Sequence, residues 1–243
     1  MMLVALYRFP AHVQRVDVSV QPFRQPPDDE RVDAAWEKLR QQNPRLFGGG
    51  IYNVLAVDAD RGRITAAYDL YKRLVVQPDV ETGVNQLSVS ALATAPGAGG
   101  QPCVLIGQRG QQTRIYGGMW QLCPAGGVEP PDNPADLADI GHDKIRADLA
   151  REFTEEVGLD LGDLPARPLA VVHDRIARSY DIVLRVEFAA AQPLRPQHGS
   201  GWEHLDLRWL PIAEVPAFDR AQRIIEPTRA LFRSLGWLTP GPA

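Results

Sequence analysis

Ile145, Leu149, Phe153 and Val157 recur every four residues, and Gly158 follows the last of them. That spacing predicts a helix over residues 143–157 with one apolar stripe, because residues four apart share a helical face. Gly158 can take the left-handed conformation that ends a helix, and Leu159 can fold back as the hydrophobic contact that accompanies such an ending. Taken alone, this is an ordinary amphipathic helix.

Its carboxylates are less ordinary. At 100° per residue, Glu152, Glu155 and Glu156 fall within an arc of about 100° beside the stripe. Like charges at these spacings cost a helix roughly 0.2–0.5 kcal/mol per pair. They also lie in the last turn, where the helix dipole disfavours anions. Arg151 can pair with Glu155 at i,i+4, which leaves Glu152 and Glu156 without a local partner. A solvated acidic face is the commoner reason for such a cluster. The alternative is a hard divalent cation, and Mg²⁺ is the usual one where phosphates complete its shell.

The order of the residues favours the cation. Arg151, Glu152, Phe153, Glu155, Glu156, Gly158 and Leu159 occupy every position in the second half of the Nudix box, Gly-x5-Glu-x7-Arg-Glu-U-x-Glu-Glu-x-Gly-U, where U is bulky and apolar. Residues 124–130, Pro-Ala-Gly-Gly-Val-Glu-Pro, resemble the leading glycine loop of the box, but they are displaced. Counting six from Gly126 reaches Asp132, and counting eight back from Arg151 reaches Asp143, where the family has a single Glu. Residues 132–142 therefore read as an eleven-residue insertion inside the box. Asp143 stands in place of the first, usually structural, Glu. The chain thus resembles the Nudix hydrolases, which implies an α/β/α sandwich with a mixed sheet, carried here with a small N-terminal α+β extension.

Composition sets the outer bounds. With 243 residues, 44% hydrophobic and 23% charged, the chain can bury a large core. A net charge of −4 argues against a general nucleic-acid binder. Arg outnumbers Lys 23 to 3, so no single Arg marks a phosphate site by its type. Cys103 and Cys123 form neither a CxxC pair nor a disulfide framework, which favours a reducing cytoplasm. The apolar start, residues 1–7, is too short for a signal peptide or a membrane span.

Residues 1–85 read as an extension and 86–243 as the Nudix-like domain. In the extension a strand is expected over 13–20. A helix follows, capped by Asp28 or Asp29, with Val32, Ala35, Trp36 and Leu39 on its apolar face and Asn43-Pro44 at its end. Two hairpin strands are expected over 51–57 and 64–74. In the second part strands are expected over 87–93, 103–106, 169–172, 182–188 and 204–210, and one helix over 221–235. His142, His173 and His204 show no metal-ligand spacing, and His173 reads as a hydrogen-bonded core residue.

The resemblance implies hydrolysis of a nucleoside diphosphate derivative with Mg²⁺, or Mn²⁺ as a substitute. It makes Glu152 and Glu156 the main ligands, with Glu155 a third ligand or a support held through Arg151. It adds the Gly126 carbonyl as a further ligand. Glu203, in the loop before the last strand, is placed as a further ligand or as general base, with Glu152 the other candidate base and Asp206 a weaker competitor to Glu203. Arg109 lies where relatives often carry a basic residue facing substrate. Tyr116, Trp120 and Trp202 are candidates to stack a base, and Arg109, Arg175 and Arg178 to bind phosphate. The extension and the insertion resemble the layout of the UDP-glucose and UDP-galactose diphosphatases. ADP-ribose or dinucleotide cleavage and a non-catalytic nucleotide sensor stay open as alternatives, as does a homodimer.

Overall fold

In this computed structural model the structure describes residues 3–43, 46, 48–195 and 203–239. The strands are β1 (Val4–Arg8) and β2 (Asp17–Val20), then β3 (Gly50–Asp58), β4 (Arg63–Leu70), β5 (Gln86–Pro96), β6 (Pro102–Arg109), β7 (Trp120–Leu122), β8 (Ala125–Gly127), β9 (Ala166–Asp174), β10 (Ser179–Glu187) and β11 (His204–Pro211). The α-helices are α1 (Glu30–Gln42), α2 (Tyr71–Val75), α3 (His142–Glu152), α4 (Val215–Ala221) and α5 (Glu226–Ser234).

β5 is the hub of one mixed sheet. Its apolar residues alternate in depth: Leu87, Val89, Ala91 and Ala93 point into one core and Leu92 into the other. One edge pairs along its length with β10, in parallel. The other edge is divided among β3 at Gln86, β8 at residues 88–90 and β6 at residues 94–96. The path β1-β9-β10-β5-β3-β4-β2 is joined by β6 with β11 and β7 beside it. The α3 stripe packs on one face, and α5 with Val215 of α4 packs on the other. This is the α/β/α sandwich with a mixed sheet.

Residues 1–85 supply β1, which pairs antiparallel with β9, and β3, which meets β5. Val16, Val18, Tyr52, Val54 and Ile64 share the core of the α3 face. α1 and α2 build a satellite core around Val32, Trp36, Val75 and Val76. Residues 132–143 clasp this region: Ile140 bridges Val18 through hydrogen bonds of 2.8 and 2.9 Å, Asp139 accepts from the Val20 N–H, and Asp143 pairs with Arg15.

Several expected boundaries move. The strand expected over 13–20 is restricted to Asp17–Val20, although Val13 and Val16 are buried. The strand expected through residue 74 stops at Leu70, and Tyr71–Val75 turns into a helix. α1 matches, with Asp29 as its cap and Asn43 at its end. The helix expected over 221–235 is shorter: α5 begins only at Glu226, and Ala221 is the last residue of the separate helix α4. Pro227 sits in the first turn of α5, and residues 223–225 instead lie extended against Trp120, whose N–H donates to Arg223 and whose carbonyl accepts from Ile225. His173 is half-buried and stacks on Tyr180 with ring centroids 4.0 Å apart.

The box helix runs as expected to Glu152 and then widens into a π-turn, Phe153–Val157. Ile145, Leu149, Phe153 and Val157 are all fully buried. The Phe153 carbonyl accepts from both Gly158 and Leu159, closing the helix as expected. Gly158 has φ 69°, and a Cβ there would overlap the Arg195 carbonyl. Gly158→Ala is therefore expected to cost about 1–3 kcal/mol of stability. A denaturant midpoint within experimental error of the native protein would contradict this.

Candidate active site

The site forms where the end of α3 meets the glycine strand. Gly126 lies opposite Val89 of β5, and a side chain at Gly126 would overlap the Glu152 carboxylate. Lacking a Cβ, the strand lets that carboxylate rest directly on its backbone. One turn on, Glu156 accepts a 3.0 Å hydrogen bond from the Ala125 N–H. Both glutamates are buried, at 7% and 6% exposure, although each carries an ionisable group. They are held there because Phe153 and Val157, on the same turn, are buried completely.

Arg151 organises the outer side of the cluster. Its guanidinium lies 2.8 Å from Glu152, 3.0 Å from Glu155 and 3.6 Å from Glu129. The Glu155 side chain is about half exposed. Burial, reinforced by Glu156 and partly opposed by Arg151, pushes Glu152 up to about 7. Glu203 is half-buried beside the same cluster, and burial followed by Glu156 raises its carboxyl too. The donors that converge here are carboxylates beside a glycine backbone, desolvated and mutually repelling. That set fits a hard divalent cation such as Mg²⁺, which removes the repulsion.

These acids line a cleft of about 470 Å³ together with Arg109, Tyr116, Gln121, Asp181 and Ser88. Arg109, at the end of β6, donates to Gln121 Oε1 at 2.9 Å and to the Ile115 carbonyl at 3.2 Å. Tyr116 has φ 59°, and its hydroxyl donates to the buried Asp174 at 2.8 Å. Asp181, at the cleft floor, is pushed up to about 7 by burial and then by Asp174, against hydrogen bonds from Ser179 and Ser88.

Three candidates lie elsewhere. Trp120 is 3% exposed, packed edge-on to Phe218 and covered by the Arg208 guanidinium, so it is a core residue and does not line the cleft. Arg178 pairs with Glu81 and, with Arg175, lines a second cavity of about 480 Å³. Trp202 and residues 198–201 of its loop lie outside the described residues.

Sequence reasoning passed over three residues that touch or extend the site. Cys123 and His204 flank Glu156: the Cys123 thiol donates to Glu156 Oε2 over 3.6 Å, and His204 Nε2 lies 3.3 Å from the same oxygen. Asp181 is the third. Cys123 directly precedes the glycine loop and His204 directly follows Glu203. Their meeting depends on β6, which carries β7 on one edge and β11 on the other.

An α/β/α sandwich whose covering helix delivers a carboxylate cluster onto a glycine strand has the donors to hold a divalent cation beside a cleft. The sequence profile of the NUDIX domain matches residues 84–231, and the chain belongs to that family. It is a Nudix hydrolase, of the class that acts on nucleoside diphosphate derivatives and generally uses divalent metal ions. Among solved structures it is similar to DR0079 from Deinococcus radiodurans, with 16% identity over 76% of this chain and 98% of that one and a TM-score of 0.49. The NUDIX domain of Shewanella oneidensis NrtR complexed with ADP ribose shares 19% identity over 66% of this chain and 91% of that one, with a TM-score of 0.44. The M. smegmatis Nudix hydrolase RenU shares 18% over 64% and 88%, with a TM-score of 0.43. No curated protein matches the sequence. No described helix is long and apolar enough to cross a membrane.

The state of Glu152 makes metal-free stability depend on pH. Its folded pKa of about 7 exceeds the ordinary 4.5, so the folded protein binds this proton more tightly than the unfolded chain. The contribution is full below about pH 4.5 and is lost as pH rises through 7. Metal-free protein should lose about 1–3 kcal/mol between pH 5 and 7.5. Glu152→Gln should flatten that slope, and Mg²⁺ should raise the melting temperature more at pH 8 than at pH 5. A slope unchanged in Glu152→Gln would assign it to other groups.

Proposed function

We propose that this protein hydrolyses the pyrophosphate bond of a UDP-sugar, giving UMP and a sugar 1-phosphate. The observation that carries the hydrolytic reading is the buried pair Glu152 and Glu156 against Gly126, at one wall of a cleft that also contains Arg109. Glu152, Glu156 and the Gly126 carbonyl would hold Mg²⁺, with Glu155 kept in reach by Arg151. When bound, the ion neutralises charge on the pyrophosphate oxygens and acidifies a bound water.

The side chains do the rest. Arg109 presents a permanent positive charge to the phosphates from a desolvated position, where it is less screened than at the surface. Glu203 takes the proton from the attacking water; burial and Glu156 raise its affinity for a proton, which suits it to accept one. Glu152 is less free to do so, because Arg151 draws on its carboxylate. The sugar reading draws support from the cleft floor, where Asp181, Ser88, Ser179 and Gln86 offer hydrogen bonds suited to hydroxyl groups. In this reading residues 1–85 are an extension on a catalytic domain of 86–243, and the protein works where its buried free thiols stay reduced.

One observation favours a second reading, ADP-ribose or another dinucleotide. Arg114 and Ile115 line both the cleft and the second cavity, so a longer ligand could reach from one to the other.

Mg²⁺-dependent turnover of UDP-glucose, UDP-galactose, ADP-ribose and NADH decides between them, with Glu156→Gln alongside the native protein. Release of UMP from the UDP-sugars, reduced at least about 10²–10⁴-fold in kcat by Glu156→Gln, is expected. Cleavage of ADP-ribose or NADH alone would replace the sugar reading with the second. Turnover unaffected by Glu156→Gln would remove Glu156 from the mechanism.

A further inference from the structure

Hydrolysis has no evident use for Cys123 or His204, yet both are buried against a glutamate of the cluster. Cys123 is 0% exposed, His204 7% and Glu156 6%. Cys123 Sγ lies 3.6 Å from both Glu156 Oε2 and His204 Nε2, and these two lie 3.3 Å from each other. The other ring nitrogen, His204 Nδ1, is buried over Gly107 without a hydrogen-bond partner, so Nε2 is the one that faces the cluster.

Such distances are ordinary hydrogen-bond lengths. They are also the edges of a tetrahedral zinc shell: bonds of about 2.3 Å to sulfur, 2.0–2.1 Å to imidazole nitrogen and 2.0–2.2 Å to carboxylate oxygen set the donors about 3.3–3.6 Å apart. We propose that Cys123, His204 and Glu156 form a second, thiophilic metal site that takes Zn²⁺ and, when filled, withdraws Glu156 from the Mg²⁺ cluster and inhibits hydrolysis.

Charge and chemistry both favour this ion. Zn²⁺, one thiolate, one carboxylate and a neutral imidazole sum to zero, so the filled site carries no net charge into a buried position. Binding breaks the Cys123 S–H bond and releases that proton to solvent. Mg²⁺ takes oxygen ligands and has little affinity for the sulfur and nitrogen on this side of Glu156, whereas zinc takes both. The two ions therefore compete for one carboxylate from opposite sides. Glu156 and His204 border the cleft, which gives an ion a route in. Among the described residues this is the one group of three His, Cys, Asp or Glu side chains whose ligand atoms all lie within 4.8 Å of one another.

The inhibitory consequence rests on the hydrolase reading above; the site does not, and the test reads them separately. Metal-stripped full-length protein is titrated with Co²⁺ and followed by absorption. One equivalent should produce a thiolate-to-cobalt charge-transfer band that Zn²⁺ abolishes. Competition with a chromophoric chelator then gives the zinc affinity. Cys123→Ser and His204→Gln should each weaken it by at least about 100-fold, beyond the loss expected for an outer-shell partner. Thermal unfolding checks that both variants fold, and either alone suffices if the other does not.

In the activity arm, stoichiometric Zn²⁺ should inhibit Mg²⁺-dependent turnover, and Cys123→Ser should shift that inhibition to at least about 100-fold higher zinc. No charge-transfer band, or zinc affinity unchanged in a folded variant, overturns the site. A band with hydrolysis untouched by zinc keeps the site and overturns the inhibition. If no substrate is turned over, the band still decides the site.

Discussion

Two fully buried apolar side chains, Phe153 and Val157, pin one turn of helix against the sheet, and the acids on that turn go where the turn goes. Left to themselves Glu152 and Glu156 would stay in water. A carboxylate taken out of water loses several kcal/mol of hydration in effective terms. Side chains of the size of Phe153 and Val157 gain about 1.5–3 kcal/mol each on burial, and Ile145 and Leu149 extend the same stripe. The packing of the helix therefore holds the carboxylates in place and leaves them in need of a cation. Part of the deficit falls to Arg151, which touches both Glu152 and Glu155.

The sheet completes this arrangement through β5. Its other edge is divided among three partners over short stretches, and the middle one is the glycine strand β8. Glu152 can approach that strand because Gly126 has no side chain, and Gly158 can close the helix because it alone tolerates both the left-handed backbone and the nearby Arg195 carbonyl. Two glycines 32 positions apart in the chain thus serve opposite ends of one short segment. Residues 132–142 add a further tie: through Ile140 and Asp139 they join the box to β2, so residues 1–85 and the helix that carries the acids share support.

Much of the site was legible because its signals are local. The helical stripe, the closing glycine and the three glutamates all lie within fourteen positions, residues 145–158, where a 3.6-residue period decides the face. Elsewhere local pattern misled. Residues 221–235 carry enough apolar residues for one helix, but Trp120 offers its backbone to residues 223–225 and Pro227 starts the helix afresh. Trp120 itself resembled a stacking residue by type and position. Its burial under Arg208 and Phe218 depends on chain segments nearly a hundred residues away.

By itself the sequence determined the family, the helix that carries the acids, the identity of those acids and the need for a glycine on each side of them. The helix and the acids on it follow from residue type and short-range spacing; the family and the Gly126 loop, 26 positions before Glu152, follow from the resemblance to the Nudix box. Only the tertiary structure decided how far the acids are desolvated, that Arg109, Asp181 and Glu203 share one cleft while Trp120 and Arg178 do not, and that Cys123 and His204 meet at Glu156. Those facts depend on which strands lie side by side. Cys123 and His204 are 81 residues apart in the chain and 3.6 Å apart in the fold, because β6 pairs with both β7 and β11.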